Sequence, residues 1–183
     1  MTKTERTRLR LVRAALELFV EIGYDSTTAA MIAARAGVTE VTFFRHFPSK
    51  HSVVMDDPYD PLIAEAIVRQ PSHLAPLAAA IGGIVDSWVA IPPHESDGVR
   101  ARLRIVAATP SLRGAIAANT AATEEAVTGA LGSRGASKTD ARIAAAAVMG
   151  ALSAALLDWA QGDDADLGLA IEAAHRVLLG EST

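Results

Sequence analysis

Glu40, Val41, Thr42 and Arg45 are the residues of this chain whose types and spacing best fit a chemical task, the reading of base edges in duplex DNA. An arginine can donate to both acceptors of a guanine, a glutamate can accept from the cytosine amino group, and the methyls of Val41 or Thr42 can meet a thymine methyl. They lie in a stretch, 40–47, whose other face carries Phe43 and Phe47 at i, i+4. With Val38 these two rings should point inward, leaving Glu40, Val41, Phe44 and Arg45 outward. At the far end His46 and Lys50 are again i, i+4, with Ser49 between them, a group suited to phosphate oxygens; such contacts position a protein without reading sequence.

Short helices must present these residues. Thr27 and Thr28 read as N-caps, because a hydroxyl there can accept from free amides of a first turn, and AAMIAARA after them is made of strong helix formers. Ile32, Ala33 and Ala36 give that helix one apolar edge. Gly37 suits the left-handed position just past a helix end, and Thr39 is a second cap, so a further helix should run from about Glu40 to Phe47. A helix, a glycine turn and a helix also occur in all-α proteins that bind no nucleic acid, and the turn alone leaves both readings open.

The wider pattern TT…IA…AGVT…TFFRHFPSK, preceded by FVEIGYDSTT, resembles the tetracycline-repressor (TetR) family of bacterial transcriptional regulators. The likeness is close over residues 8 to 55; the remainder matches only in length and helical character. It implies that Thr28 and Ala29 start the helix that abuts a phosphate, that Glu40, Val41, Thr42 and Arg45 occupy base-contacting positions, and that Phe44, His46 and Lys50 occupy phosphate-contacting ones. The family usually has tyrosine where this chain has Phe44. Loss of that hydroxyl removes one hydrogen bond, on the order of 1 kcal/mol.

Upstream, residues from about Glu5 to Ile22 repeat with helical period: Leu9, Val12, Leu16, Phe19 and Val20 join Leu11, Ala15, Leu18 and Ile22 on a broad apolar arc, with Lys3, Arg6, Arg10 and Arg13 on the other side. That basic stripe is either a solvated face or a flank for DNA. The formal charge of the whole chain is −4, yet residues 1–55 carry +3 and residues 56–183 carry −7. Only the N-terminal part has an electrostatic reason to approach nucleic acid, and duplex DNA fits better than a single-strand groove, which needs exposed aromatic platforms.

A chain of 183 residues with 50% apolar composition can bury a sizeable core. We expect two domains, a helix-turn-helix domain over 1–52 and a ligand-binding and dimerisation domain over 53–183, joined near the break DDPYDP. Helices are expected near 61–69, 74–91, 99–108, 111–131, 138–160 and 164–179, with no strands, giving an all-α fold. There is no cysteine, which is compatible with a reducing cytoplasm, and no signal-peptide pattern at the start. The apolar run Ile143 to Leu157 is short for a membrane span and reads as a buried helix, so no membrane partner is expected.

The last two helices are apolar on more than one face, with Ala144, Val148, Ala151, Ala155 and Trp159 on one and Leu167, Ile171, Ala174 and Leu178 on the other. One intrachain core would explain them. The family resemblance implies the other explanation, a homodimer through a four-helix bundle that presents two recognition helices about 34–36 Å apart to double-stranded operator DNA. Ile84, Val85, Trp88, Leu103, Val106, Ile116, Met149 and Leu152 are candidate lining for a small apolar effector ligand, although any of them can equally be core. Arg100 and Arg104 share a helix face, near Arg102, and can bind a carboxylate or phosphate. The segment RLRIVAATPSLRGAI also looks like actinobacterial family members with acyl-thioester-like ligands.

Enzymatic signatures are missing: no G-x-S-x-G elbow, H-E-x-x-H pair or phosphate-binding glycine loop occurs. The histidines at 46, 51, 73, 94 and 175 are scattered, and Glu124 and Glu125 diverge on a helix, so neither a metal, a cofactor nor acid–base catalysis is expected. The competing readings are a ligand-responsive dimeric regulator, acting as a repressor, and a helical small-molecule-binding protein or enzyme on the same scaffold without DNA binding.

Overall fold

The computed structural model describes residues 2–55, 60–89, 93–162 and 166–180, and every regular element among them is helical. The ten α-helices are α1 (Lys3–Ile22), α2 (Ala29–Arg35), α3 (Glu40–His46), α4 (Ser52–Met55), α5 (Asp60–Arg69), α6 (Pro76–Val89), α7 (Pro93–Ala108), α8 (Arg113–Ser133), α9 (Lys138–Gln161) and α10 (Leu167–Leu179), with a 3-10 turn at Pro110–Leu112. The joint expected at DDPYDP falls largely on residues 56–59, which lie outside the described residues, as do 90–91 of the helix expected over 74–91 and 164–165 of the last one.

The chain divides into two compact units, one made of Met1–Asp57 with Arg104–Ile116 and the other of Pro58–Leu103 with Ala117–Thr183. This differs from the boundary expected after residue 52. Val53 and Val54 of α4 are buried in the first unit's core, and so are Ile105 and Leu112 from far down the chain. A linear cut could not anticipate that return.

In the first unit α1 is the spine. Thr2 and Glu5 form a reciprocal capping box at its start. Leu11, Ala15, Leu18 and Phe19 are buried, but Leu9, Val20 and Ile22 are exposed, so the expected apolar arc is narrower than its composition suggests. Thr28 caps α2, accepting from the Met31 amide at 3.2 Å. Thr27 does not cap: it is buried and its hydroxyl donates to the Gly23 carbonyl at 2.9 Å. Gly37, at φ 65°, ends α2 in the left-handed region, and Thr39 caps α3 by accepting from the Thr42 amide.

The second unit is a packed bundle of α5, α6, α9 and α10 together with part of α8. By length and composition α9 is apolar enough to cross a membrane. Its contacts with α6 and α10 account for part of that composition, since Ala141, Ala145, Val148, Leu152 and Trp159 are core. At the α5–α6 crossing Gly83 lies against Ile67 with no room for a side chain: a Cβ there would sit 2.6 Å from the Ile67 amide nitrogen and 2.7 Å from its Cα. Gly83→Ala should therefore force the two helices apart and destabilise the protein by about 1–3 kcal/mol or more, read as a lowered denaturation midpoint with unchanged helical content at low denaturant.

Candidate nucleic-acid interface

Helix α3 has only seven residues and cannot be stable in isolation, so the packing beneath it sets where its outer side chains point. Phe43 and Phe47 are fully buried, their rings 5.8 Å apart, as the i, i+4 spacing requires. The Arg8 guanidinium lies 4.4 Å above the Phe47 ring and its Nη1 reaches the His46 carbonyl at 3.4 Å, which places a cation at the C-terminal end of α3. Arg10 donates to the Ala36 carbonyl at the end of α2, and Arg35 makes a two-pronged bond with Glu21 at 2.9 and 2.8 Å. The first helix thus grips both short helices through charged side chains. Of the expected basic stripe, Arg10 is occupied inside the unit and Arg13 pairs loosely with Glu17 at 3.6 Å.

On the outward side Glu40, Val41 and Arg45 are exposed, and Arg45 has no ion pair among the described residues. Val41 is 78% and Phe44 50% exposed, an unusual outlay of apolar surface for a soluble helix. The Phe44 ring stands edge-on to Phe43 at 5.3 Å, which fixes its direction. Thr42 is half-buried with its hydroxyl 3.0 Å from that of Thr39. Thr28 is exposed and Ala29 half-buried at the start of α2.

Two of the expected phosphate-binding residues are drawn inward. Half-buried His46 has its pKa held below the ordinary imidazole range by burial and by the nearby Arg45 and Arg8 charges, so at neutral pH it offers an N–H but no full charge. Lys50 changes more. Its Nζ donates to the Tyr24 carbonyl at 2.7 Å and the Thr27 carbonyl at 2.8 Å, and it stands 4.1 Å over the Tyr24 ring. Burial lowers its pKa. Instead of a free surface cation, Lys50 is a clamp on the turn between α1 and α2; the i, i+4 spacing with His46 has no helix to act on, because α3 ends at His46.

The candidate pocket residues divide between the two units. Val106 and Ile116 pack on the core of the first unit, since the chain returns there over 104–116. Ile84, Trp88, Met149 and Leu152 are buried in the core of the second unit, with Val85 and Leu103 packed against it. Ile84, Val85 and Leu152 border a cavity of about 10 Å³, room for a single water at most. Of the arginines on α7, Arg104 is exposed and Arg100 is half-buried over Trp159. Among the described residues no group of histidine and carboxylate side chains is arranged to hold a metal.

The role of Lys50 has a direct test. Lys50→Ala leaves two carbonyls of the α1–α2 turn without their donor, and should cost about 1–3 kcal/mol of stability. Thermal unfolding without DNA checks it; a variant as stable as the parent would return Lys50 to the surface.

Comparison with known proteins bears on the same residues. The model of bacterial regulatory proteins of the tetR family matches residues 11–54, and that of the MftR C-terminal domain matches residues 74–182. The HTH-type transcriptional regulator TcmR of Streptomyces glaucescens is 37% identical over 117 residues, 60% of this chain and 52% of its own. SrpR of Pseudomonas putida is 33% identical over 98 residues, 53% of this chain and 41% of its own. The matched regions thus span about half the length, or less, of these curated relatives. Among solved structures, SmeT, the repressor of the Stenotrophomonas maltophilia multidrug efflux pump SmeDEF, superposes with a TM-score of 0.63 at 20% identity, covering 98% of this chain and 91% of its own. FadR of Thermus thermophilus, solved with lauroyl-CoA, superposes at 0.51 with 23% identity, covering 96% and 95%. With a helix-turn-helix capped by Thr28 and Thr39 at one end and a matching regulator domain over most of the rest, the chain belongs to the TetR family of transcriptional regulators.

Proposed function

We propose that the protein is a ligand-responsive repressor. It binds a pseudo-palindromic operator as a homodimer through α3, and a small, largely apolar ligand in the C-terminal unit releases it; its place of action is the cytoplasm. The outward face of α3 carries this reading, because Glu40, Val41 and Arg45 are exposed on a helix held in place from beneath, and Arg45 has no ion pair among the described residues. A binding protein or enzyme without DNA would leave that face with no task. Base contacts are assigned to Glu40, Val41, Thr42 and Arg45. Backbone contacts are assigned to Thr28, Ala29, Phe44 and His46, where neutral His46 donates one hydrogen bond and Phe44 packs on sugar.

A second copy of the chain is the partner proposed for α9 and α10. The residues first considered for an interface, such as Ala144, Val148, Trp159, Leu167 and Ile171, are core within the chain. The unpartnered apolar surface lies elsewhere on the same helices: Ile143 is 63% exposed and continues through Ala146, Gly150 and Ala154, while Leu169 and Val177 are 54% and 78% exposed on α10. Small residues at i, i+4 let two helices approach closely, which suits a symmetric bundle. A dimer would set two α3 helices one DNA turn apart, about 34–36 Å.

Coupling between ligand and DNA has covalent routes besides the joint expected near DDPYDP. The division of the chain also falls inside α7, between Leu103 and Arg104, and Ile105 and Leu112 just beyond are part of the core that carries α3. Movement of α7 on ligand binding would act on that core directly.

Two measurements test the proposal. On DNA from upstream of the chain's own gene, Arg45→Ala should cost about 1–3 kcal/mol on the preferred site and little on random sequence; equal loss on both would remove Arg45 from the base edges. Ile143→Glu and Val177→Glu should each yield a folded monomer by light scattering and lose operator binding, since both place a charge in an apolar contact. A wild-type monomer at micromolar concentration, or no sequence-dependent DNA binding, would favour the helical binding protein instead.

A further inference from the structure

Among the described residues, the buried side-chain nitrogens of the second unit that lack a hydrogen-bond partner include Arg100 Nη2 on α7 and Trp159 Nε1 on α9. They are neighbours, with the Arg100 guanidinium 4.3 Å above the Trp159 ring, and Trp159 is only 5% exposed. A cation–π stack fixes the guanidinium plane, but it uses none of its N–H groups. An orphaned buried donor costs about 1–3 kcal/mol, so two side by side in an otherwise well-packed core point to an acceptor that completes them.

We infer that Arg100 and Trp159 form the head-group subsite for a monoanionic carboxylate on an apolar body. This rests on the proposal that the second unit binds an effector, and it names the effector's chemical class. Guanidinium and indole are donors only, so their complement must be an acceptor, and a carboxylate has two oxygens to share between them. Arg100 supplies a single positive charge, which a carboxylate neutralises one for one; a phosphate dianion would keep an excess charge in an apolar setting. The setting is apolar because Val99 and Leu103, beside Arg100 on α7, pack on the same core, and Leu156 lies one turn before Trp159 and is buried. The ligand's body must therefore be hydrocarbon or aromatic, and its acid group is what α7 reads.

The test uses the full-length protein and three ligands of equal chain length, decanoate, decan-1-ol and decyl phosphate, titrated calorimetrically at pH 8. Wild type should prefer decanoate over the alcohol by about ten- to a hundredfold, the range for hydrogen bonds to a charged group. Arg100→Leu should bring that ratio close to one while leaving alcohol binding nearly unchanged. Arg100→Lys, which keeps the charge but not the planar fork, and Trp159→Phe, which removes only the indole N–H, should each give an intermediate ratio, and they serve if the leucine variant fails to fold. No preference for decanoate in wild type, a preference that survives Arg100→Leu, or tighter binding of decyl phosphate than of decanoate would each overturn the inference. Operator binding by the same preparations separates the two readings: carboxylate preference without DNA binding removes the repressor and leaves this subsite, and DNA binding without carboxylate preference does the reverse.

Discussion

A seven-residue helix cannot hold its own shape in water, and that constraint organises the N-terminal unit. The solution is to sink Phe43 and Phe47 completely into a core built on α1 and to fasten the ends of the short helices with long cations. Arg8 sits over Phe47 and meets the last carbonyl of α3, Arg10 meets the end of α2, and Lys50 gathers the carbonyls of the turn between α1 and α2. Helix C-termini carry partial negative charge, so cations there do structural work that apolar packing alone could not do. The outward residues of α3 have their directions fixed by these inward ones.

That arrangement bears on how, under the proposed function, a chain with net negative charge would address DNA. Much of the positive charge of the first 55 residues is engaged inside the unit, and the surface keeps Lys3, Arg6 and Arg45 without ion pairs among the described residues. Few phosphates can be neutralised by so small a set, so binding should depend on salt less steeply than for strongly basic DNA-binding proteins. Under the proposed function, exposed Val41 and Phe44 would replace some of that charge by apolar contact with thymine methyls and sugars.

What could be read from the sequence was what local spacing controls. The caps at Thr28 and Thr39, the left-handed Gly37, the burial of Phe43 and Phe47 and the extents of α8 and α9 follow from neighbours within a turn or two. Long-range partners were not legible. Lys50 looked like a surface cation because nothing nearby announces carbonyls 23 and 26 residues upstream. Val106 and Ile116 looked like pocket lining because they sit amid apolar residues, and only the fold sends 104–116 back to the first unit. On α9, alanine on nearly every face removes the contrast that marks a buried side, so the core and the exposed stripe could not be told apart.

The return of the chain over 104–116 has a consequence for modularity. Residues 1–57 contain every helix of the helix-turn-helix motif, yet the core beneath it is completed by residues such as Ile105 and Leu112, which are 8% and 1% exposed. Cut after residue 57, the motif would bare an apolar floor that its own chain cannot cover. The helix-turn-helix is therefore not a transplantable cassette. Grafting it onto a foreign domain would require that domain to supply the aliphatic side chains of Ile105, Val106, Leu112 and Ile116 in the same register, which ties the folding of the N-terminal motif to a segment far down the chain.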